Sequence, residues 1–140
     1  EEFKGKKKAP ENAVGRAVDA YFKSIGAYMR QINSGGTKRN GTWTTSGQGS
    51  GISDRVGILQ GGRFVAVELK APGKKKTVTE CQVLFLRNII NRGGVACVAD
   101  SVDCVKVALS QTKEELLSTL ESCVRTKRCS PASDLPEWLR

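Results

Sequence analysis

Apolar and polar residues alternate along residues 64–70, which is the period of a β-strand. On such a strand Glu68 and Lys70 share one face. Residues 55–59 form a second β-prone run, and the Gln-Gly-Gly-Arg stretch at 60–63 has the composition of a reverse turn, because glycine adopts positive φ without strain. The pattern therefore predicts an antiparallel hairpin.

The length of the hairpin loop decides whether Asp54 lies beside Glu68. A three-residue loop at 60–62 places Leu59 opposite Arg63 and Asp54 opposite Glu68, with their Cβ atoms roughly 5 Å apart. A four-residue loop would send Asp54 to the other face. We expect the shorter loop because it also forms two apolar pairs, Ile58 with Phe64 and Val56 with Ala66. Two carboxylates this close repel unless a cation lies between them, and few, solvent-open oxygen ligands suit Mg²⁺ or Mn²⁺.

Helical periodicity predicts the elements around this hairpin. The predicted helices are 11–25, 79–92, 101–109 and 112–124. Gly26 ends the first helix, and a capping box from Thr79 to Gln82 begins the second. Ser101 caps the third, and Thr112 with Glu115 begins the fourth. Residues 27–32 and 95–99 are predicted strands. The strand-helix-strand step over 64–99 favours parallel pairing, so we expect an α/β fold with a mixed central sheet flanked by helices. The predicted domain spans 11–125, between a flexible basic arm at 1–10 and a tail at 126–140.

Charge and composition reduce the number of functions that the chain could have. The 140 residues carry 23 Lys and Arg against 14 Asp and Glu, a net charge of +9, which favours a nucleic acid as partner. The sequence has no histidine, which excludes Ser-His-Asp catalysis, histidine zinc sites and a histidine general base. The five cysteines form no CxxC pair, so we expect reduced thiols and a cytoplasmic protein. No apolar run is long enough to predict a membrane span.

Two basic stretches are candidate DNA contacts. The polar, glycine-rich residues 37–53 include Lys38, Arg39 and Trp43, which would suit a phosphate backbone and a stacked base. The turn after the 64–70 strand carries three consecutive lysines at 74–76, namely Lys74, Lys75 and Lys76. Solvated surface charge explains both stretches equally well.

Asp54 followed by Glu68-Leu69-Lys70 resembles the PD-(D/E)xK nuclease motif. The fuller pattern, over about residues 11–100, is similar to the VRR-NUC (virus-type replication-repair nuclease) branch of the restriction-endonuclease-like fold. It consists of Glu11, Gly51-Ile52-Ser53-Asp54, Val67-Glu68-Leu69-Lys70, Gln82 and Gly93-Gly94. Ser53 stands where the broad motif has proline, a change that this branch commonly tolerates.

The resemblance implies a role for each residue of the pattern. Asp54 and Glu68 would hold Mg²⁺, with Mn²⁺ as substitute, helped by the Leu69 carbonyl and by Glu11. Lys70 would orient the attacking water or steady developing charge, and Gln82 would contact Lys70 or the phosphate.

The implied function is a stand-alone, phage-like, structure-selective DNA endonuclease that resolves four-way (Holliday) junctions as a homodimer. It would act in the cytoplasm of a bacterial or phage-infected cell. The apolar helix at 116–124 and the tail with Trp138 are the candidate dimer interface, and the same apolar residues could instead close the core of the chain. The alternatives are a flap or nonspecific DNA nuclease, and a non-catalytic basic nucleic-acid-binding protein in which Glu68 and Lys70 form a structural ion pair.

Overall fold

A computed structural model describes residues 2–32, 37–39, 42–44 and 53–123, with side chains described for 10–32 and 53–123. The helices are α1 (Glu2–Ser24), α2 (Glu80–Asn91), α3 (Val102–Ser110) and α4 (Lys113–Ser122), with a 3₁₀ turn at Lys75–Thr77. The strands are β1 (Tyr28–Gln31), β2 (Thr37–Arg39), β3 (Thr42–Thr44), β4 (Arg55–Ile58), β5 (Phe64–Leu69) and β6 (Val95–Ala99). None of these helices combines the length and the apolar character that crossing a membrane requires.

The central sheet has the strand order β1-β4-β5-β6. The pairs β1/β4 and β4/β5 are antiparallel, and β5/β6 is parallel, so the sheet is mixed. Helix α1 packs on β1, β5 and α3, whereas α2 packs on β5, β6 and α4. The expected α/β architecture, a mixed central sheet flanked by helices, is confirmed and is compatible with a restriction-endonuclease-like fold.

The hairpin of β4 and β5 has the predicted three-residue loop. Arg55 lies opposite Val67 and Ile58 opposite Phe64, and the Leu59 amide donates to the Arg63 carbonyl at 2.9 Å. The loop is closed by two glycines with positive φ, Gly61 at 97° and Gly62 at 94°. Both apolar pairs form, although Ile58 and Phe64 stay 47% and 42% exposed.

Helix α1 is longer than the sequence predicted. It begins at Glu2 rather than at residue 11, so the stretch predicted as a flexible basic arm is helical from Glu2. The predicted apolar stripe is confirmed, since Val14, Val18 and Phe22 are buried, and the helix is followed by Gly26 with φ of 74°.

The polar stretch at 37–53 contains β2 and β3, which pair antiparallel, where the sequence predicted a loop. The remainder of that stretch through residue 52, including Gly51 and Ile52, lies outside the described residues. The tail from residue 124, including Trp138, lies outside them too.

The C-terminal helix α4 faces the core. Leu116 is 2% and Leu120 is 3% exposed, and both belong to the same cluster as the buried residues of β5, β6 and α2. The expectation that this helix supplies a dimer interface is therefore wrong for these two residues, because their side chains are used within the chain.

The thiols differ from the expectation that all five are reduced. Cys81 is disulfide-bonded, whereas Cys97, Cys104 and Cys123 are free. The prediction is wrong for Cys81, since irregular spacing and the absence of a CxxC pair do not exclude a disulfide between residues distant in sequence.

Candidate active site

The β4/β5 hairpin brings the two predicted acids together. Continuing the observed register by one residue places Asp54 opposite Glu68. The Leu69 amide donates a hydrogen bond to Asp54 Oδ2 at 2.9 Å, which fixes this carboxylate at the end of β5. Glu68 is the penultimate residue of β5 and only 3% exposed. The predicted juxtaposition therefore follows from hairpin geometry.

Burial makes Glu68 the most unusual acid among the described residues. Desolvation, followed by the negative charge of Asp54, raises the pKa of Glu68 from its ordinary value of 4.5 to about 9, although the charge of Lys70 opposes this shift. Its Oε2 atom is buried and has no hydrogen-bond partner among the described residues. Without a bound cation, Glu68 therefore carries a proton at neutral pH.

Two further side chains, those of Gln82 and Lys70, converge on Glu68. The family resemblance implied the contact between Gln82 and Lys70 but not the hydrogen bond from Gln82 to Glu68. Gln82, in the first turn of α2, donates from Nε2 to Glu68 Oε1 at 2.6 Å. Lys70 Nζ lies 3.8 Å from the same Oε1 and donates to Gln82 Oε1 at 3.4 Å. Glu68, Lys70 and Gln82 thus form one connected cluster beside Asp54.

The residues present fit a divalent cation with two acidic ligands. A cation between Asp54 and Glu68 would give the unpaired Glu68 Oε2 a partner and would offset the repulsion between the two carboxylates. Within the described ranges no group of three or more His, Cys, Asp or Glu could hold a metal ion. Two carboxylates are nevertheless a common protein contribution to Mg²⁺, which keeps several water ligands.

Glu11 shares a cavity of about 310 Å³ with Asp54, but Glu68 does not line that cavity. The cavity lies between α1 and the ends of β1 and β4. The role of Glu11 as a metal ligand, like that of the Leu69 carbonyl, stays a prediction.

The three lysines after β5 are not equivalent. Lys74 and Lys76 are exposed. Lys75 is turned inward, with Nζ 3.6 Å from Cys104 Sγ. Burial alone would lower the pKa of Lys75, but the charges of Cys104 and Asp100 outweigh burial and raise it. Lys74 and Lys76 are therefore better placed than Lys75 to meet a phosphate backbone.

The predicted contacts in the 37–53 stretch are placed only in their backbone. Lys38 lies opposite Trp43 in the β2/β3 pair, and Arg39 lies opposite Thr42. Their side chains are outside the described set, so their contact with DNA stays a prediction.

Sequence reasoning missed an ion pair beside the site. Arg55, 9% exposed, donates from Nε and Nη2 to the Asp19 carboxylate at 2.8 and 3.1 Å. A Cβ at Gly15 would lie 3.0 Å from Arg55 Nη2, so a side chain there would crowd the pair. Glycine costs about 1 kcal/mol in a helix interior, and its presence on the buried side of α1 was the available signal of a close approach.

No protein-family model matches this chain, and no curated protein matches it either. Its function is therefore inferred from the residues of the site.

Proposed function

We propose that the protein is a divalent-metal-dependent, structure-selective DNA endonuclease that hydrolyses phosphodiester bonds, with four-way junctions as its substrate. The supporting observation is a buried Glu68 whose Oε2 has no partner, placed opposite Asp54 and 3.8 Å from the Lys70 ammonium. In the protonated form Glu68 can share a side-chain hydrogen bond with Asp54, but in the ionised form Oε2 has no donor to pair with. A buried, unpaired carboxylate oxygen is costly, which favours a cation as the partner of the ionised form.

The proposed chemistry assigns separate tasks to the clustered side chains. Asp54 and Glu68 would hold Mg²⁺, which when bound acts as a Lewis acid and lowers the pKa of water. Glu68 must release its proton before it can serve as a ligand, because its pKa is about 9. Lys70 supplies a positive charge next to the carboxylates, where it steadies negative charge that develops on the phosphate. Gln82 holds Glu68 and Lys70 in place through its two hydrogen bonds.

Charge supports DNA as the substrate. The net charge of +9 favours a polyanion, and the exposed Lys74 and Lys76 follow closely after Lys70 in the chain. A four-way junction has two equivalent strands to cut, and the described part of each chain offers one such site. A homodimer with two-fold symmetry would match that substrate.

A non-catalytic nucleic-acid-binding protein is the second candidate, and one observation favours it. The Gln82 hydrogen bond to Glu68 and the pKa of about 9 are compatible with a permanently neutral carboxylic acid in a structural role. This candidate predicts DNA binding without cleavage, and it predicts no dependence of the fold on Mg²⁺.

The test is cleavage of labelled junction, flap, duplex and single-stranded DNA with Mg²⁺, with Mn²⁺, and with chelator. The proposed function requires metal-dependent cleavage with junctions cut fastest. If the protein cleaves flaps or plain duplex faster than junctions, it is still a nuclease, but its substrate selectivity differs from the one proposed. Binding without cleavage under either metal would favour the structural candidate.

A further inference from the structure

Helices α2 and α4 begin with the same capping box. In α2 the Thr79 hydroxyl accepts a hydrogen bond from the backbone N–H of Gln82 at 3.3 Å. In return, the backbone N–H of Thr79 donates to Oε1 of the Gln82 side chain at 2.9 Å. In α4 the Thr112 hydroxyl accepts a hydrogen bond from the backbone N–H of Glu115 at 3.2 Å, and the backbone N–H of Thr112 donates to Glu115 Oε1 at 3.0 Å. Two boxes of equal local geometry therefore exist in one chain, one at the candidate site and one away from it.

The two boxes differ in the residue three positions after the cap. Glu115 is fully exposed, and the hydrogen bond from the Thr112 backbone lowers its pKa. Its ionised carboxylate has only acceptor oxygens, so it can accept from the cap but cannot donate a hydrogen bond to another group. Gln82 has an amide, whose oxygen accepts from the cap while its nitrogen remains free to donate elsewhere.

The cap fixes which end of the Gln82 amide faces Glu68. Oε1 receives two donors, the Thr79 amide at 2.9 Å and Lys70 Nζ at 3.4 Å. Nε2 is thereby turned toward Glu68 Oε1, at 2.6 Å. If the amide were reversed, its NH₂ group would face two N–H donors and its oxygen would face a carboxyl oxygen.

We propose that Thr79 is a positioning residue of the active site, acting through Gln82 on Glu68 and Lys70. The Thr79 hydroxyl holds the cap residue in its extended conformation, with φ of −86° and ψ of 161°, and so keeps the Thr79 amide directed at Gln82 Oε1. The inference rests on the proposed nuclease function for its catalytic consequence, but its structural part stands without it.

The matched experiment compares Thr79→Val with Thr112→Val. Each substitution removes one capping hydroxyl from one box while keeping the β-branched shape, so both variants should show comparable falls in Tm. Only Thr79→Val should lower kcat, by about tenfold, and weaken Mn²⁺ binding measured by calorimetry, by about tenfold. Thr79→Ser, which retains the hydroxyl, should restore both quantities.

An NMR measurement on the metal-free protein monitors the side-chain amide of Gln82 directly. In the wild type and in Thr112→Val, the Gln82 side-chain NH₂ should give one sharp, slowly exchanging pair of proton signals by NMR, because Nε2 is held against Glu68. In Thr79→Val these signals should broaden or exchange faster.

The inference is overturned if Thr79→Val and Thr112→Val have the same kcat, Mn²⁺ affinity and Gln82 signals. If the wild type cleaves no DNA, the proposed function fails, while the calorimetry and the NMR signals still decide whether Thr79 positions Gln82. If the wild type cleaves and the two valine variants match in every readout, the nuclease stands and Thr79 is only a helix cap.

Discussion

Replacing Glu68 with glutamine should remove a pH dependence that this one carboxyl imposes on folding. The pKa of Glu68 is about 9 in the folded, metal-free protein, against an ordinary value of 4.5. Between these values the folded chain holds one proton more than the unfolded chain. The contribution of Glu68 to stability is therefore fully present below pH 4.5 and is lost as the pH rises toward 9.

The expected magnitude follows from that single proton. The free energy of unfolding should fall by about 1.4 kcal/mol for each pH unit in this window. From pH 6 to pH 8 the loss is about 3 kcal/mol. For a domain of this size, that loss corresponds to a fall in Tm of roughly 6 to 12 °C.

The assay is thermal unfolding followed by circular dichroism at pH 6, 7 and 8 in chelator, for wild type and Glu68→Gln. At pH 6 the variant should already be more stable than the wild type by about 2 kcal/mol, because Glu68 of the unfolded wild type ionises above pH 4.5 whereas glutamine stays neutral in both states. At pH 8 the difference should be larger by the loss given above. Adding Mg²⁺ should stabilise the wild type most at pH 8, since the metal selects the ionised carboxylate.

A matched control is Glu121→Gln, which removes an exposed carboxylate paired with Arg87 at 3.3 Å. Its pH dependence should equal that of the wild type, because the exposed pair contributes little. Equal slopes for wild type and Glu68→Gln would refute the reasoning, and would mean that Glu68 is ionised at neutral pH despite its burial.

Three further outcomes are expected. Lys70→Ala should nearly abolish turnover and weaken DNA binding only somewhat, as measured by single-turnover kinetics beside a gel-shift titration. Lys74→Glu with Lys76→Glu should weaken junction binding and reduce the slope of log affinity against log salt; an unchanged slope would remove the 74–76 turn from the DNA interface. At pH 8 iodoacetamide should label Cys104 well before Cys97, as followed by mass spectrometry, because burial raises the pKa of the Cys97 thiol to about 12. Faster labelling of Cys97 would contradict its burial.

The features that the sequence predicted are set by short-range rules. The register that joins Asp54 to Glu68 follows from a two-residue period and a glycine-containing loop, both readable over residues 54–68. The boxes at Thr79 and Thr112 follow from a three-residue spacing. These rules depend on neighbours in sequence, and they suffice to place Asp54, Glu68 and Lys70 in one region. The place of Gln82 beside them depends on how α2 packs against β5, and only the family resemblance implied it.

The features that it missed depend on partners far apart in the chain. Asp19 and Arg55 are separated by 36 residues, and the sequence around neither residue contains a pattern that predicts their ion pair. The inward turn of Lys75 depends on Cys104 in α3, and the burial of Leu116 depends on how α4 meets α2 and β6. Periodicity gave α4 an apolar stripe without saying whether that stripe met its own core or a second chain.

The measurement that tests the central claim most directly is single-turnover cleavage of an end-labelled four-way junction by wild type and Glu68→Gln, with DNA binding measured on the same samples. The wild type should make paired, symmetric nicks in Mg²⁺ and none in chelator. Glu68→Gln should bind the junction at least as tightly and leave it uncut, since it keeps the basic surface and loses one carboxylate of the site. Wild-type protein that binds but does not cut in Mg²⁺ or Mn²⁺, or Glu68→Gln that cuts at the wild-type rate, would contradict a catalytic metal held by Asp54 and Glu68.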